Sequence, residues 1–169
     1  GEQFSWSAGG LYVKDIFQML VYDNQLTVVT VSGALVLEFL EQVYGSRYYT
    51  VRRESDDMVR LRTPYYLHES LAGAEYMVNL TKGKGKRIEN HTIDENREYR
   101  LAINSFRSKW FSDRGCRVDT LGDYRLGFVG WLSDQTSLDG LDQVERWRTI
   151  PEALTRKIAL REKTTLFEE

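Results

Sequence analysis

The sequence predicts a mixed α+β fold, in which a strand–helix unit is followed by an antiparallel meander forming a mixed sheet, with helices packed on it. Three observations lead there. QLTVVTVSG is β-branched and almost continuously apolar, and runs straight into a helical pattern. Three further strand-like segments follow in series, separated by polar or glycine-rich turns. The last thirty residues, around LDGLDQVERWRTI and PEALTRKIALRE, have helical character.

Taken in order, KDIFQMLVYDNQL places Ile16, Phe17, Met19, Leu20 and Val21 after an acidic first turn at Asp15. This predicts a short helix over 13–20 and a turn at Tyr22-Asp23-Asn24. A buried strand is expected over 25–31. Ser32 then stands where a helix N-cap belongs, and Leu35, Val36, Phe39, Leu40 and Val43 recur at helical spacing. Gly45 is the expected C-cap. Residues 46–63 hold five Arg and no clear period, and predict an irregular connection. AEYMVNLTK, RIENHTI and YRLAINSF read as strands, joined by the turns KGKGK and DENRE. Residues 107–117 read as a loop, DYRLGFVGWL as a further strand, and Pro151 as a break between helices or the opening of the second.

Composition narrows the function. A chain of 169 residues fits one domain with a real core. The net charge of -2 excludes a global electrostatic footprint for a nucleic-acid polymer or an anionic membrane, so any anion site must be local. Cys116 is the single cysteine, and His68 and His91 are the two histidines, so neither an intrachain disulfide nor a His-rich metal centre is expected. Thr27, Thr30, Ser32, Gly33 and Glu38 interrupt the most apolar run, which is therefore not read as a membrane span. GEQFSWSAGG has no basic segment followed by an apolar one, so no signal peptide is expected in it.

The segment YRLAINSFRSKWFSDRG presents Arg107, Lys109, Trp110 and Phe111 at the end of a strand, which is either a stacking and charge platform or rings buried against helices. KGKGKR lacks Walker spacing and reads as a solvated hairpin turn. His68 reads as a structural histidine, and Asn24 as bonded within its own turn.

The ordered segments DIFQMLVYDNQLTVVTVSGALVLEFLEQ, SLAGAEYMVNLTKGKGKRIENHTID and YRLAINSFR resemble the C-terminal domain of the 5'-nucleotidase family, which includes UDP-sugar hydrolases and cyclic-nucleotide phosphodiesterases. The resemblance is strongest over 11–107, within a single domain of 1–169. It implies a substrate-recognition domain for a nucleoside or nucleotide. A separate N-terminal metallophosphoesterase domain would carry the divalent metal ions and hydrolyse the phosphate ester, so this chain itself holds no cofactor and no catalytic residue. By the same resemblance the protein is periplasmic, secreted or at the cell surface. The family stacks a base between two rings. The corresponding positions here are His68, in YYLHESLAG, and Trp110 with Phe111, in a loop without the family's glycines. Arg47, Asn24 and Arg107 fall near the family's other ligand contacts. The missing glycines, and the missing Arg after Gly9 and Gly10, favour an alternative: a non-catalytic binding or scaffold domain that kept the fold and lost the site. An independent enzyme built on His68 or Cys116 has no triad or ligand spacing to support it.

Overall fold

The computed structural model describes residues 10–47, 69–135 and 146–156. It has the expected α+β character, in two compact units. The first comprises residues 1–31 and 98–142, the second residues 32–97 and 143–169. No helix among the described residues is long and apolar enough to cross a membrane.

In the first unit, helix α1 (Val13–Met19) buries Ile16 and leads through a turn into strand β1 (Gln25–Ser32). β1 is the middle strand of three, between β4 (Glu98–Asn104) and β5 (Arg117–Asp123). Its β-branched run places Val28, Val29 and Val31 in the core, as its apolar character requires. β1 and β5 are antiparallel, with Gln25 opposite Asp123 and Thr30 opposite Arg117; the register shifts between Leu26 and Thr27, leaving Leu121 as the extra residue. Helix α3 (Ser105–Ser112) follows β4, and helix α4 (Tyr124–Ser133) follows β5.

In the second unit, helix α2 (Gly33–Arg47) begins directly after Ser32, whose Oγ accepts the Leu35 N–H at 3.4 Å. Of the residues that the helical spacing predicts, Val36, Phe39, Leu40 and Val43 are buried and Leu35 is half-buried; Tyr44 is buried in addition, and the helix continues through Gly45 to Arg47 instead of ending there. Strands β2 (Tyr76–Asn79) and β3 (Ile88–Glu89) pair antiparallel across the KGKGK turn. β6 (Trp147–Ile150) joins β2 on its other side in parallel register. Tyr76 stacks on Trp147 at 5.9 Å, and the hydroxyls of Tyr44 and Tyr76 lie 2.9 Å apart in a shared hydrogen bond. A helical turn at 152–156 opens after Pro151 and buries Leu154.

Several elements differ from the sequence expectation. The third strand of the expected meander, β4, does not join β2 and β3 but lies beside β1. The reason is in the turn before it. The carbonyls of Glu95 and Arg97 accept the N–H groups of Ala34 and Gly33, so the DENRE segment caps α2 instead of closing a hairpin. Residues 107–117 are not a loop: they hold most of α3, a turn at Gly115 and the start of β5. Asn104 Oδ1 accepts the Arg107 N–H at 2.9 Å and starts α3. Gly115, at φ +81°, reverses the chain afterwards, a conformation that costs glycine little. DYRLGFVGWL is helical, not extended, because Asp123 accepts the N–H groups of Arg125 and Leu126 and so nucleates α4. Residues 147–150 of the expected helix LDGLDQVERWRTI form β6. The irregular connection lies mostly outside the described residues, as does the second half of the last helix, 157–162.

Candidate functional site

The end of the β4–β1–β5 sheet at which β1 begins gathers polar groups from three elements. Gln25 donates its N–H to Ser105 Oγ at 3.0 Å, while the Asn24 carbonyl accepts the Tyr124 N–H at 3.0 Å. Ser105 Oγ lies 3.5 Å from Asn24 Oδ1. Thr27 donates its hydroxyl to the Ile103 carbonyl at 2.6 Å, fixing β1 against β4. The turn at Asn24 is thereby pinned between the first residues of α3 and α4. β4 and β5 both end here, each passing into a helix.

Arg125 locks the same corner. Its guanidinium donates to Asp123 Oδ2 at 2.9 Å and to Asp23, and lies 4.8 Å from the Phe17 ring centroid. The Asp123 carboxyl is held at about 2, against an ordinary value of 3.8, first by the Arg125 side-chain hydrogen bond and then by the Leu126 N–H. The Arg125 pKa is raised, chiefly by its hydrogen bond to Asp123. The folded-state value of Asp123 lies below the unfolded one. Its stabilisation is therefore complete above about pH 4 and is lost as the pH falls through about 2. Asp123→Asn keeps an N-cap side chain and loses that titration. In acid unfolding followed by circular dichroism, the wild type should lose stability more steeply across this window than the variant; parallel curves would contradict the assignment.

α3 carries the rings and cations of the predicted platform, in an arrangement that the loop reading does not give. Successive helical residues point about 100° apart, and residues four apart share a face. Trp110 and Phe111 therefore diverge. Phe111 is 0% exposed, so no face of its ring is open to a ligand, and it meets the half-buried Trp110 edge-on at 4.8 Å. The ring four residues from Trp110 is Phe106, which is 63% exposed. Each of these two rings carries a guanidinium: Arg107 lies 4.9 Å from the Phe106 centroid, and Arg114 lies 3.6 Å from that of Trp110. Arg114 also donates to the Trp110 carbonyl at 3.2 Å. Lys109 pairs with Asp113 at 2.8 Å one turn on.

Of the predicted site residues, the structure brings Asn24, Arg107, Trp110 and Phe111 into the first unit. Arg47 ends α2 in the second unit, and His68 lies outside the described residues. Phe106, Arg114 and the Asp23–Arg125–Asp123 cluster are additions that sequence reading missed. A usable signal for the first two was the cap residue Asn104, because a helix starting there puts residues 106 and 110 on one face.

The family model of the 5'-nucleotidase C-terminal domain matches residues 2–112. None of the curated proteins matches the chain. Solved structures similar to it include two 5'-nucleotidases. A protein from Staphylococcus aureus described as a 5'-nucleotidase, in complex with α-ketoglutarate, shares 20% identity at a TM-score of 0.61, over 80% of this chain and 29% of that one. A 5'-nucleotidase precursor from Thermus thermophilus shares 18% identity at a TM-score of 0.58, over 84% of this chain and 28% of that one. The chain thus spans less than a third of the length of these proteins. With the family model covering well over half of it, the chain belongs to the 5'-nucleotidase C-terminal domain family.

Proposed function

We propose that this chain is the substrate-recognition domain of a 5'-nucleotidase-like phosphoesterase, and that it holds a nucleoside or nucleotide on α3. The observation that carries the reading is the pair of rings one helical turn apart, Phe106 and Trp110, each already covered by a guanidinium plane. A ring face that accepts a flat guanidinium suits a flat heterocycle, since bases stack on both aromatic rings and Arg side chains. In this reading Arg107 and Arg114 supply local positive charge for a phosphate, which the net charge of -2 does not. Asn24, held by Ser105 and Tyr124, contributes a polar edge close to the start of α3.

Hydrolysis belongs, in the same reading, to a separate N-terminal metallophosphoesterase domain holding divalent metal ions, as in a periplasmic, secreted or cell-surface enzyme of nucleotide catabolism. The described residues offer no group of three His, Cys, Asp or Glu able to hold a metal ion, so no step is assigned to a metal in this chain.

The alternative, a scaffold domain that kept the fold and lost the site, is favoured by the burial of Phe111, one of the rings expected to stack on a base. One titration separates the two readings. Adenosine or AMP should change the tryptophan emission of the folded chain, and the change should vanish in Trp110→Phe, which leaves Trp6, Trp131 and Trp147 as the background. A base–ring contact contributes about 1–3 kcal/mol, so Phe106→Ala should weaken binding roughly 5- to 150-fold. Emission that stays constant at millimolar ligand supports the scaffold reading.

A further inference from the structure

The two ends of the Asn24 amide are placed differently. Its Oδ1 accepts the hydroxyl proton of Ser105 in a long hydrogen bond of 3.5 Å. Ser105 Oγ in turn accepts the Gln25 N–H at 3.0 Å. Turning the amide over would leave the Ser105 proton without an acceptor, because no other group among the described residues accepts it. The Nδ2 end has no acceptor among the described residues, and it is not one of their buried unsatisfied atoms, so it is open to water. The turn that carries it is fixed: the Asn24 carbonyl accepts the Tyr124 N–H at 3.0 Å, and the Asn24 N–H donates to the Tyr22 carbonyl at 3.0 Å. Phe106, 63% exposed, directly follows Ser105. The open amide nitrogen and the first ring of α3 therefore stand on either side of one residue.

An asparagine free at both ends reads adenine with one donor and one acceptor. With Oδ1 engaged, Asn24 offers donors alone. Guanine presents two acceptors, O6 and N7, along one edge, and uracil presents O4. Adenine and cytosine carry an amino group, itself a donor, at the corresponding positions. Two donors that face each other leave a hydrogen bond unmade on both sides.

We infer that Asn24 makes this site prefer nucleotides whose base turns a carbonyl toward it, the 6-oxopurines and uracil, over those of adenine and cytosine; the inference rests on the reading of α3 as the nucleotide platform. Stacking on the rings is common to all of these bases, so AMP still binds. The preference comes from the polar edge alone.

Isothermal titration of the 169-residue chain with GMP, AMP, UMP and CMP tests this. Comparing purine with purine and pyrimidine with pyrimidine removes the effect of ring area. GMP should bind roughly 2- to 12-fold more tightly than AMP, and UMP than CMP by a similar factor, since one neutral hydrogen bond decides each comparison. Asn24→Asp presents acceptors only. It should reverse or abolish both ratios, while its added charge weakens all four ligands alike. Ser105→Ala frees the amide to turn over and should bring both ratios close to one, which provides the second variant if Asn24→Asp fails to give a native circular dichroism spectrum. A wild type that binds AMP as tightly as GMP, or ratios unchanged in either folded variant, overturns the inference and leaves α3 a nucleotide site. Absence of binding for all four at millimolar ligand overturns the underlying reading and the inference together.

Discussion

Gly33→Ala should destabilise the protein by about 3 kcal/mol or more, among the largest effects open to a single methyl group. A Cβ at position 33 would lie 2.0 Å from the Asp94 carbonyl oxygen and 2.8 Å from its carbon. These are backbone atoms, so no side chain can swing away. The closeness has a cause. Gly33 is the first residue of α2, and its N–H donates to the Arg97 carbonyl at 2.8 Å, while Ala34 donates to that of Glu95 at 3.1 Å. The 94–97 turn is itself closed by the Arg97 N–H on the Asp94 carbonyl and by the Asn96 N–H on the Asp94 side chain. A helix N-terminus satisfied by another segment's backbone must let that backbone approach, and a side chain at the first position prevents it. Urea unfolding checks the effect. Gly83→Ala, with nothing within 4 Å, serves as the control and should move stability by less than about 0.5 kcal/mol.

Loss of the Arg87 side chain should cost a similar amount, about 3 kcal/mol for Arg87→Met. Arg87 is 1% exposed, a rare environment for a guanidinium. It donates to the Tyr44 carbonyl at 2.5 Å, in the last turn of α2, and to the Lys82 carbonyl at 3.2 Å. Its backbone N–H and that of Ile88 both reach Glu41 Oε1 at 2.6 Å. One residue thus ties the C-terminal end of α2, the hairpin turn and the start of β3 together. Methionine fills much of the volume but leaves two carbonyls without that donor. Arg87→Lys should recover only part of the loss, because one ammonium cannot reproduce the fork that reaches both carbonyls. Equal urea midpoints for Arg87→Met and wild type would contradict this account.

The parts of the fold legible in the sequence are those whose pattern is long or whose turn chemistry is explicit. β1 is rich in β-branched residues over its eight positions, α2 is periodic over fifteen, and KGKGK between two strand-like runs gives the β2–β3 hairpin. The short helices escape because eight and ten residues of mixed aromatic and polar character show no clean period. Their starts were nevertheless written in Asn104 and Asp123, each followed by the residues whose N–H groups it accepts. The strand partners escape for a different reason. β4 leaves its sequence neighbours because the turn before it is engaged with α2, a long-range interaction that no local pattern carries. The same error propagates into the site. Read as a loop, residues 110 and 111 make a ring pair; folded as a helix, the pair that shares a face is 106 and 110, and Phe111 becomes core.

The indole N–H of Trp110 reports directly on whether α3 receives a nucleotide. In a two-dimensional proton–nitrogen correlation spectrum, with its cross-peak assigned by Trp110→Phe, AMP should shift that resonance in a saturable way together with the amides of residues 105–114. The indole peaks of Trp131 and Trp147 should stay in place. A folded sample in which millimolar AMP moves none of the α3 resonances, or moves them no more than those of the other indoles, would contradict the claim.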